Sequence, residues 1–378
     1  MIKDLGIYIH IPFCVSKCAY CDFYSFPADG ETKRAYIDAL CRQIECKAAE
    51  IAEGYRVVSV FFGGGTPSIL DAGLLMKALD AVRAGFVLSD DCEITVECNP
   101  GTVDAVKLGI YRQNGVNRLS FGLQSANDGE LRRLGRIHTF GDFLKSYETA
   151  RKCGFDNINI DLMSALPGQT EESWLKTLRT TAALRPEHIS AYSLIIEEGT
   201  PFGDMAAQDA AMLELPDEES ERAMYYLTGE RLEAAGYGHY EISNYARAGF
   251  ECRHNIIYWK RGDYIGFGAG ASSFMNEKRY AAAKDIKAYI DNPENAFGEP
   301  ENLTASDSMA EFMFLGLRML CGVKRSDFRR CFGRQLDNVY GDVINKYAAS
   351  GHIIDDGENV RLSQAGIDVS NYIFADFV

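Results

Sequence analysis

The sequence lacks any apolar run long enough to cross a lipid bilayer, and its N-terminal segment shows no secretory signal pattern. It also lacks an excess of positive charge: 39 Lys and Arg residues stand against 54 Asp and Glu residues, a formal net charge of −15. These absences argue against a membrane-spanning chain, a secreted disulfide framework and a general nucleic-acid binder. The eleven cysteines therefore predict a protein of the reducing cytoplasm.

Residues 1–200 alternate strand-like with helix-like stretches in six units, which predicts an α/β fold with a parallel sheet. Because six units are too few to close an eight-stranded barrel, an open, partial (β/α)6 barrel fits the count. The prominent polar residues lie at or after the ends of the strands, where such a barrel builds its chemistry. The predicted strands cover residues 5–13, 57–62, 92–98, 117–124, 157–166 and 188–195.

Beyond residue 200 the pattern changes, and we expect two further parts. Residues 201–300 are interpreted as an α+β extension, in which residues 203–221 form a surface connection. Residues 301–378 predict three helices and a hairpin, similar to a winged helix. Basic residues cluster on this last unit, but the acidic chain as a whole favours a solvated face or an acidic partner over DNA. These basic residues are Lys324, Arg325, Arg329, Arg330 and Arg334.

Three cysteines in a CxxxCxxC spacing, Cys14, Cys18 and Cys21, directly follow the first predicted strand. Thiolates are soft ligands, which suit iron–sulfur clusters and zinc better than hard ions. Three thiolates on one short loop can hold three corners of a cubane iron–sulfur cluster and leave the remaining iron open to an outside ligand. The spacing therefore predicts an open iron–sulfur cluster.

Zinc is the alternative metal for these thiols, but a structural zinc site normally takes four ligands. The sequence offers no second CxxC knuckle. His10 is a candidate fourth ligand, although it lies inside the strand-like run on the same face as Tyr8. A further thiol just past Cys21 could have closed the site, but Asp22 and Phe23 stand there. The open cluster is the favoured hypothesis, and zinc stays the alternative.

The string YIHIPFCVSKCAYCDF at residues 8–23, together with GGGTPS at residues 63–68, resembles the radical S-adenosylmethionine (SAM) superfamily. Within it, the motifs are similar to the branch that contains oxygen-independent coproporphyrinogen III oxidase and haem chaperones. The resemblance covers essentially the whole chain. It implies a partial (β/α)6 barrel, a 4Fe-4S cluster on Cys14, Cys18 and Cys21, and SAM bound at the open iron. One-electron cleavage of SAM is the chemistry that these cofactors would carry.

Glycines and polar residues at the strand ends are the candidate SAM contacts. A triple glycine after the second strand lets the backbone approach a ligand, although it can equally form a tight turn. The resemblance implies that Gly64, Gly65 and Thr66 meet the methionine part of SAM. Arg136 suits a carboxylate, which a guanidinium group binds with two hydrogen bonds. The other candidates are Glu97 and Asp161 for the ammonium and the ribose hydroxyls in either order, Gln124, and the aromatic contacts Tyr8 and Tyr20.

A second group of residues, CRHNIIYW at residues 252–259, contains the pattern HNxxYW. A lone histidine is usually structural, but within this pattern it resembles a haem-handling signature of the same branch. Imidazole is a ligand of haem iron, and aromatic side chains can cover a porphyrin face. His254 is therefore the candidate haem ligand, with Cys252 as a competing one. The glycine-rich stretch 262–270 is expected to close the same region.

Two functions stay open, and no catalytic residue is assigned outside the cofactor sites. The favoured one is a haem chaperone that delivers haem to a haemoprotein, with a respiratory-chain protein as candidate acceptor. The alternative is oxidative decarboxylation of coproporphyrinogen III, and a radical SAM enzyme with another substrate is a third option. Phe23, which stands where the oxidase pattern has another cysteine, and HNxxYW favour the chaperone. We expect a cytoplasmic monomer or homodimer with at most peripheral membrane contact.

Overall fold

The structure is a computed structural model that describes residues 2–378. The strands of this part of the chain are β1 Lys3–Ile11, β2 Tyr55–Gly64, β3 Leu88–Cys98, β4 Arg118–Gln124, β5 Ile158–Ser164, β6 His188–Ser193, β7 Gly238–Glu241, β8 Asn244–Ala246, β9 Tyr264–Phe267, β10 Ser272–Met275, β11 Lys278–Ala281, β12 Glu301–Asn302, β13 Val323–Lys324, β14 Ile353–Asp355 and β15 Asn359–Leu362.

The helices of the same residues are α1 Gly30–Ile51, α2 Ala72–Gly85, α3 Ala105–Gln113, α4 Asp128–Arg133, α5 Phe140–Lys152, α6 Glu171–Ala183, α7 Pro201–Asp209, α8 Glu218–Ala234, α9 Arg253–Trp259, α10 Ile286–Asp291, α11 Ala305–Gly316, α12 Arg325–Phe332, α13 Asp337–Ala349, α14 Gln364–Asp368 and α15 Ser370–Ala375. Across residues 2–378, no helix combines the length and the apolar character needed to cross a membrane.

The first six strands pair in parallel in the order of the chain, which confirms the predicted α/β fold with a parallel sheet. The strands of the extension join both edges of this sheet. On one side β9 pairs in parallel with β1 and is followed by β10, β11 and β12; on the other, β8 and then β7 pair antiparallel next to β6. The barrel and the extension therefore share one continuous mixed sheet.

Side chains of β1 point alternately to the two faces of the sheet, so one face of this strand packs in the apolar core and the other faces polar groups. Leu5, Ile7, Ile9 and Ile11 are fully buried in the main apolar core, together with the inner face of α1. Complete burial of each such aliphatic side chain contributes about 1.5–3 kcal/mol. Because side chains alternate along a strand, the intervening positions face the other side of the sheet, where the polar groups gather.

The extension adds to the main core rather than forming another. Tyr237, Tyr245, Ile265 and Phe267 belong to the same buried cluster as β1 to β6. Residues 301–378 instead have a separate core. It is formed by the three predicted helices, now α11, α12 and α13, by the small sheet β13-β15-β14, and by the two short helices α14 and α15, which the sequence pattern did not predict. On the predicted basic face of this unit, Arg325 is paired with Asp337 and Asp355.

The predicted surface connection at residues 203–221 is wrong in its first half, because α7 occupies residues 201–209. Pro201 stands at the first turn, where its missing N–H costs nothing, and the Thr200 side chain caps the helix at Gly203 N, 3.0 Å away. Phe202 and Leu213 are buried in a small cluster with side chains from β5 and the end of α4. Tertiary burial therefore orders an Ala- and Asp-rich segment that has weak periodicity.

Helix α9 carries the HNxxYW pattern, and a single buried carboxylate holds its first turn against the sheet. Glu93 on β3 accepts hydrogen bonds from Arg253 N at 3.1 Å and His254 N at 3.2 Å, and Cys252 Sγ lies 3.7 Å from it. These N–H groups have no partner within their own helix, so an acceptor from the sheet satisfies them. Glu93 thus determines where His254 and the rest of the pattern lie.

We expect Glu93→Ala to lower the free energy of unfolding by about 1–3 kcal/mol, because the buried N–H groups of α9 would lose their acceptor. Denaturant unfolding measures this loss, and hydrogen exchange should accelerate at residues 253–259. Glu53→Ala is the control, since Glu53 is exposed. Unchanged exchange in α9 would contradict the anchoring role of Glu93.

Candidate functional site

A cavity of about 340 Å³ opens at the carboxyl ends of the parallel strands, and we call it the cysteine cavity. It brings together residues from the loop after β1 and from the ends of β2 to β6, as expected where parallel strands end at one edge. Its lining contains these predicted residues: Cys14, Cys18, Tyr20, Cys21, Gly64, Gly65, Thr66, Glu97, Gln124, Arg136 and Asp161. Tyr8 and His254 lie outside it.

The cysteine loop is held in place by backbone hydrogen bonds to distant parts of the chain. Cys14 N donates to Phe26 O at 3.1 Å, and Ala19 N donates to Leu134 O at 3.1 Å. Burial raises the pKa of Cys21 to about 11, and the neighbouring Cys18 and Cys14 thiols add to that effect. Within residues 2–378, no group of three or more His, Cys, Asp or Glu side chains is arranged as a site for a metal ion.

Two polar side chains contact the sulfur atoms directly. Thr66 Oγ1 lies 3.4 Å from Cys14 Sγ, and Arg136 Nη1 donates to Cys18 Sγ at 3.6 Å. The guanidinium group of Arg136 thus places a fixed positive charge beside the cysteine loop. The loop combines three thiols with a hydroxyl group and a cation within contact distance of two of them.

Arg136 is partly buried at the cavity wall, and one of its nitrogen atoms is buried without a partner. Its Nη2 donates to Asn99 Oδ1 at 2.9 Å and to Gly122 O at 2.5 Å, which aims the guanidinium group. Among the residues described, its Nε atom is buried without a hydrogen-bond partner. An unsatisfied buried donor is costly, so the cavity is suited to an acceptor that arrives with a ligand, such as a carboxylate.

Two carboxyl groups give the other side of the cavity its electrostatic character. Burial, together with the nearby Asp161, raises the pKa of Glu97 to about 8, and Gly64 N donates to its Oε2 at 3.2 Å. Burial also raises the pKa of Asp161, although Asn159 and Ser120 donate to it at 2.7 Å and 3.1 Å. The cavity thus places a cation and two carboxyl groups around one space.

Two members of the triple glycine, Gly64 and Gly65, are required by packing within the protein itself. Gly64 has a φ of +107°, and a Cβ atom there would lie 2.4 Å from the ring of His10. A Cβ atom at Gly65 would lie 2.7 Å from the carbonyl oxygen of Phe13. Both glycines also line the cysteine cavity. The glycine segment therefore forms a tight turn and, at the same time, part of the cavity wall.

Gln124 ends β4 in the left-handed region, with a φ of 71°, after an irregular step in the pairing with β5. Such a conformation is uncommon outside glycine and is typical of functional sites. It places the side chain in the cavity beside Tyr192, whose hydroxyl donates to Gln124 Oε1 at 3.4 Å. Sequence reasoning missed Tyr192 and Asn99, although both follow the rule it used, since they stand at or just after strand ends.

His254 lies beneath the sheet with 1% of its surface exposed. Its Nδ1 is 2.9 Å from Ser59 Oγ, and its Nε2 is 2.8 Å from the hydroxyl of Tyr258. Burial, with the charge of Arg118, lowers the pKa of His254 to about 3. Cys252 is also fully buried. Neither His254 nor Cys252 lines the cysteine cavity or the second cavity described below. The role of either residue as a haem ligand therefore stays a prediction.

Tyr8 lines a second cavity of about 420 Å³, which we call the aromatic cavity. Its hydroxyl is 3.1 Å from His10 Nδ1, and the other ring nitrogen of His10 is 2.9 Å from Tyr24 O. Asp22 and Phe23 line both cavities, so the segment just after the cysteines separates them. The lining of the aromatic cavity also contains Tyr258, Trp259, Arg261, Tyr264, Phe274, Arg279 and Lys284.

Comparison with known proteins gives matches over the whole chain. The family model described as Radical SAM superfamily matches residues 8–181, and that of the HemN C-terminal domain matches residues 303–369. The heme chaperone HemW of Bacillus subtilis is 38% identical over 375 residues, 98% of this chain and 98% of that protein. The heme chaperone HemW of Escherichia coli is 35% identical, over 97% of this chain and 96% of its own length.

Among solved structures, coproporphyrinogen III oxidase HemN from Escherichia coli matches with a TM-score of 0.86, covering 100% of this chain and 90% of the other. The two sequences are 24% identical in this match, so it establishes the fold alone.

Because the pKa of Glu97 is raised, we expect the free energy of unfolding of the cofactor-free protein to depend on pH. A carboxyl whose pKa is raised from about 4.3 when unfolded to about 8 when folded stabilises the fold fully only below the lower value. Its contribution is lost as the pH rises through 8, by at most about 1.4 kcal/mol per pH unit. Glu97→Gln should therefore be less pH-sensitive than the wild type in urea unfolding at pH 5, 7 and 9. Equal slopes for the two proteins would contradict this assignment.

Proposed function

The chain belongs to the family of the heme chaperone HemW proteins within the radical SAM superfamily, and we propose that it acts as a haem chaperone. The observation that carries this proposal is the 38% identity to a curated heme chaperone over 98% of both chains. Haem is the cargo, and a respiratory-chain haemoprotein is the acceptor we propose. We place the protein in the cytoplasm, as a monomer or homodimer with at most peripheral membrane contact.

We propose a 4Fe-4S cluster and SAM as the resident cofactors of the cysteine cavity. Cys14, Cys18 and Cys21 would hold the cluster, and together the cofactors supply one-electron chemistry when bound. The fit is supported by the three thiols that line one cavity, with Arg136 Nη1 donating to Cys18 Sγ and Thr66 Oγ1 lying 3.4 Å from Cys14 Sγ.

The remaining residues of the cavity suit a zwitterionic nucleotide. The buried Nε atom of Arg136 has no hydrogen-bond partner among the described residues, so it can donate to the carboxylate of a ligand. Glu97, with its high pKa, becomes a carboxylate most readily when a cation such as an ammonium group approaches. Asp161 already accepts from two side chains, so its oxygens are fixed in position for a further donor such as a hydroxyl group. Gly64, Gly65, Gln124 and Tyr20 complete the wall.

Replacing Cys14, Cys18 or Cys21 with Ala should remove iron and sulfide from protein reconstituted without oxygen. Each change deletes one of the three thiols of the cysteine loop, and residues 12–29 hold no other cysteine. Iron and sulfide analysis, with the visible absorbance of the cluster, measures the loss. Cys46→Ala is the matched control, because Cys46 is exposed on α1, away from the cavity. Full iron content in the three variants would refute the cluster assignment.

The chaperone function is separated from the oxidase function by offering both substrates to one preparation. We expect the reconstituted protein to retain haem through gel filtration and to form no protoporphyrinogen from coproporphyrinogen III. Absorbance at the Soret band follows haem, and the porphyrin products and deoxyadenosine are measured by chromatography, with an active oxidase as positive control. Sustained decarboxylation would overturn the chaperone proposal.

A further inference from the structure

We infer that His188 is a positioning residue of the cysteine cavity, and that it holds the carboxylate of Asp161 in place through Asn159. The inference rests on the proposed function in taking Asp161 as a contact of SAM. Asp161 lines the cavity, whereas His188 and Asn159 do not. His188 is fully buried and Asn159 almost so. Any influence of this histidine on a bound ligand must therefore pass through other side chains.

The register of the sheet explains why Asp161 is supported from below. Its direct neighbour on β4 is Gly122, which has no side chain to hold the carboxylate. Two residues earlier on β5, Asn159 lies on the same face of the sheet as Asp161. Ser120, Asn159 and His188 are direct neighbours across β4, β5 and β6. These three side chains form a polar row at the depth from which Asp161 can be held.

Asn159 uses all of its hydrogen-bonding capacity within this part of the sheet. Its Nδ2 atom donates to Asp161 Oδ1 and to Ser120 Oγ, both at 2.7 Å. Its Oδ1 atom accepts from Ser190 Oγ at 3.2 Å and lies 2.6 Å from His188 Nδ1. The amide nitrogen faces the carboxylate, because the reverse orientation would set two acceptor oxygens against each other. The amide oxygen therefore requires a donor at His188 Nδ1.

A chain of donors that runs in one direction determines which ring nitrogen of His188 carries the proton. At its far end, Cys252 N donates to the hydroxyl oxygen of Tyr240 at 3.2 Å. A backbone N–H can only donate, so the Tyr240 hydroxyl keeps its own proton for His188 Nε2, 2.8 Å away. With Nε2 as acceptor, Nδ1 carries the proton that Asn159 Oδ1 requires. His188 is therefore the Nδ1–H tautomer.

The groups that support Asp161 are neutral. Burial, with the charge of Arg118, lowers the pKa of His188 well below its ordinary value, so the ring carries no charge. Burial raises the pKa of Asp161, and the hydrogen bond from Asn159 opposes that rise. Neutral donors fix the position of the carboxylate without cancelling its charge. The charge of Asp161 thus remains available to a ligand in the cavity.

The first test exploits the two nitrogen positions of the imidazole ring. An Asn side chain carries its amide at the level of Nδ1, so His188→Asn retains a donor to Asn159, whereas the longer side chain of His188→Gln does not. We expect His188→Gln to weaken SAM binding to the reconstituted full-length protein roughly three- to tenfold, and His188→Asn by roughly twofold at most, because only the former breaks the bond to Asn159. Equilibrium dialysis with labelled SAM measures the affinity.

The matched control is His239→Gln, since His239 is a half-buried histidine of β7 that does not line the cavity. It should bind SAM as the wild type does. Iron and sulfide content at the wild-type level shows that each variant is folded. Equal weakening by His188→Asn and His188→Gln would reduce the role of the histidine to packing and overturn the inference.

The second test asks whether the effect passes through Asp161. Asp161→Asn should weaken SAM binding by itself. Adding His188→Gln to it should cost no more than roughly a further 1.5-fold, because two changes that act on one contact are not additive. A double variant in which the two effects multiply would show that His188 acts by another route, which contradicts its positioning role.

The third test needs no cofactor. In protein with isotope-labelled histidine, nuclear magnetic resonance should show the ring of His188 protonated at Nδ1, and the His188→Gln variant identifies its signals. Protonation at Nε2 would reverse the chain of donors and overturn the inference. A wild type that binds no SAM would instead overturn the proposed cofactor, and the tautomer would then decide whether His188 supports Asp161.

Discussion

The pairing of β1 with β2 continues past the ends of both strands, and the rest of the site depends on it. Gly65 N donates to Ile11 O at 2.9 Å and Thr66 N donates to Phe13 O at 2.8 Å. These bonds tie the start of the cysteine loop to the glycine turn at a distance that only glycine permits. As a result Cys14 lies against Thr66, and the cavity forms where the strands end.

The same arrangement places ionisable side chains around the cavity at the ends of the strands, which is energetically unfavourable. Glu97, Asp161 and Arg136 surround a space rather than neutralising one another in direct ion pairs. An incompletely paired buried charge is unfavourable, and the raised pKa of Glu97 reports that cost. The arrangement becomes favourable when a ligand brings both charge signs, so the polar interior is understandable as a binding site and not as a stabilising core.

Regular elements followed from the sequence because local pattern and burial agree in them. The six parallel strands lie within a few residues of their predicted bounds, since apolar residues recur at the period of each strand. The α7 helix was missed because its order comes from the burial of Phe202. The extension adds strands to both edges of one sheet. Local sequence pattern could not predict this arrangement, because the paired strands are far apart in the sequence.

The sequence by itself determined the superfamily, the six-unit sheet and the cysteine cavity, because the spacing of the cysteines and the strand-end rule are local properties. Only the tertiary structure decided what surrounds His254, since its partner Ser59 is 195 residues away. The aromatic cavity likewise exists only because β9 pairs beside β1 and carries Tyr264 and its neighbours to Tyr8. A sequence motif identifies the residues of such a site. Long-range strand pairing determines which of their atoms are left without a partner inside the protein.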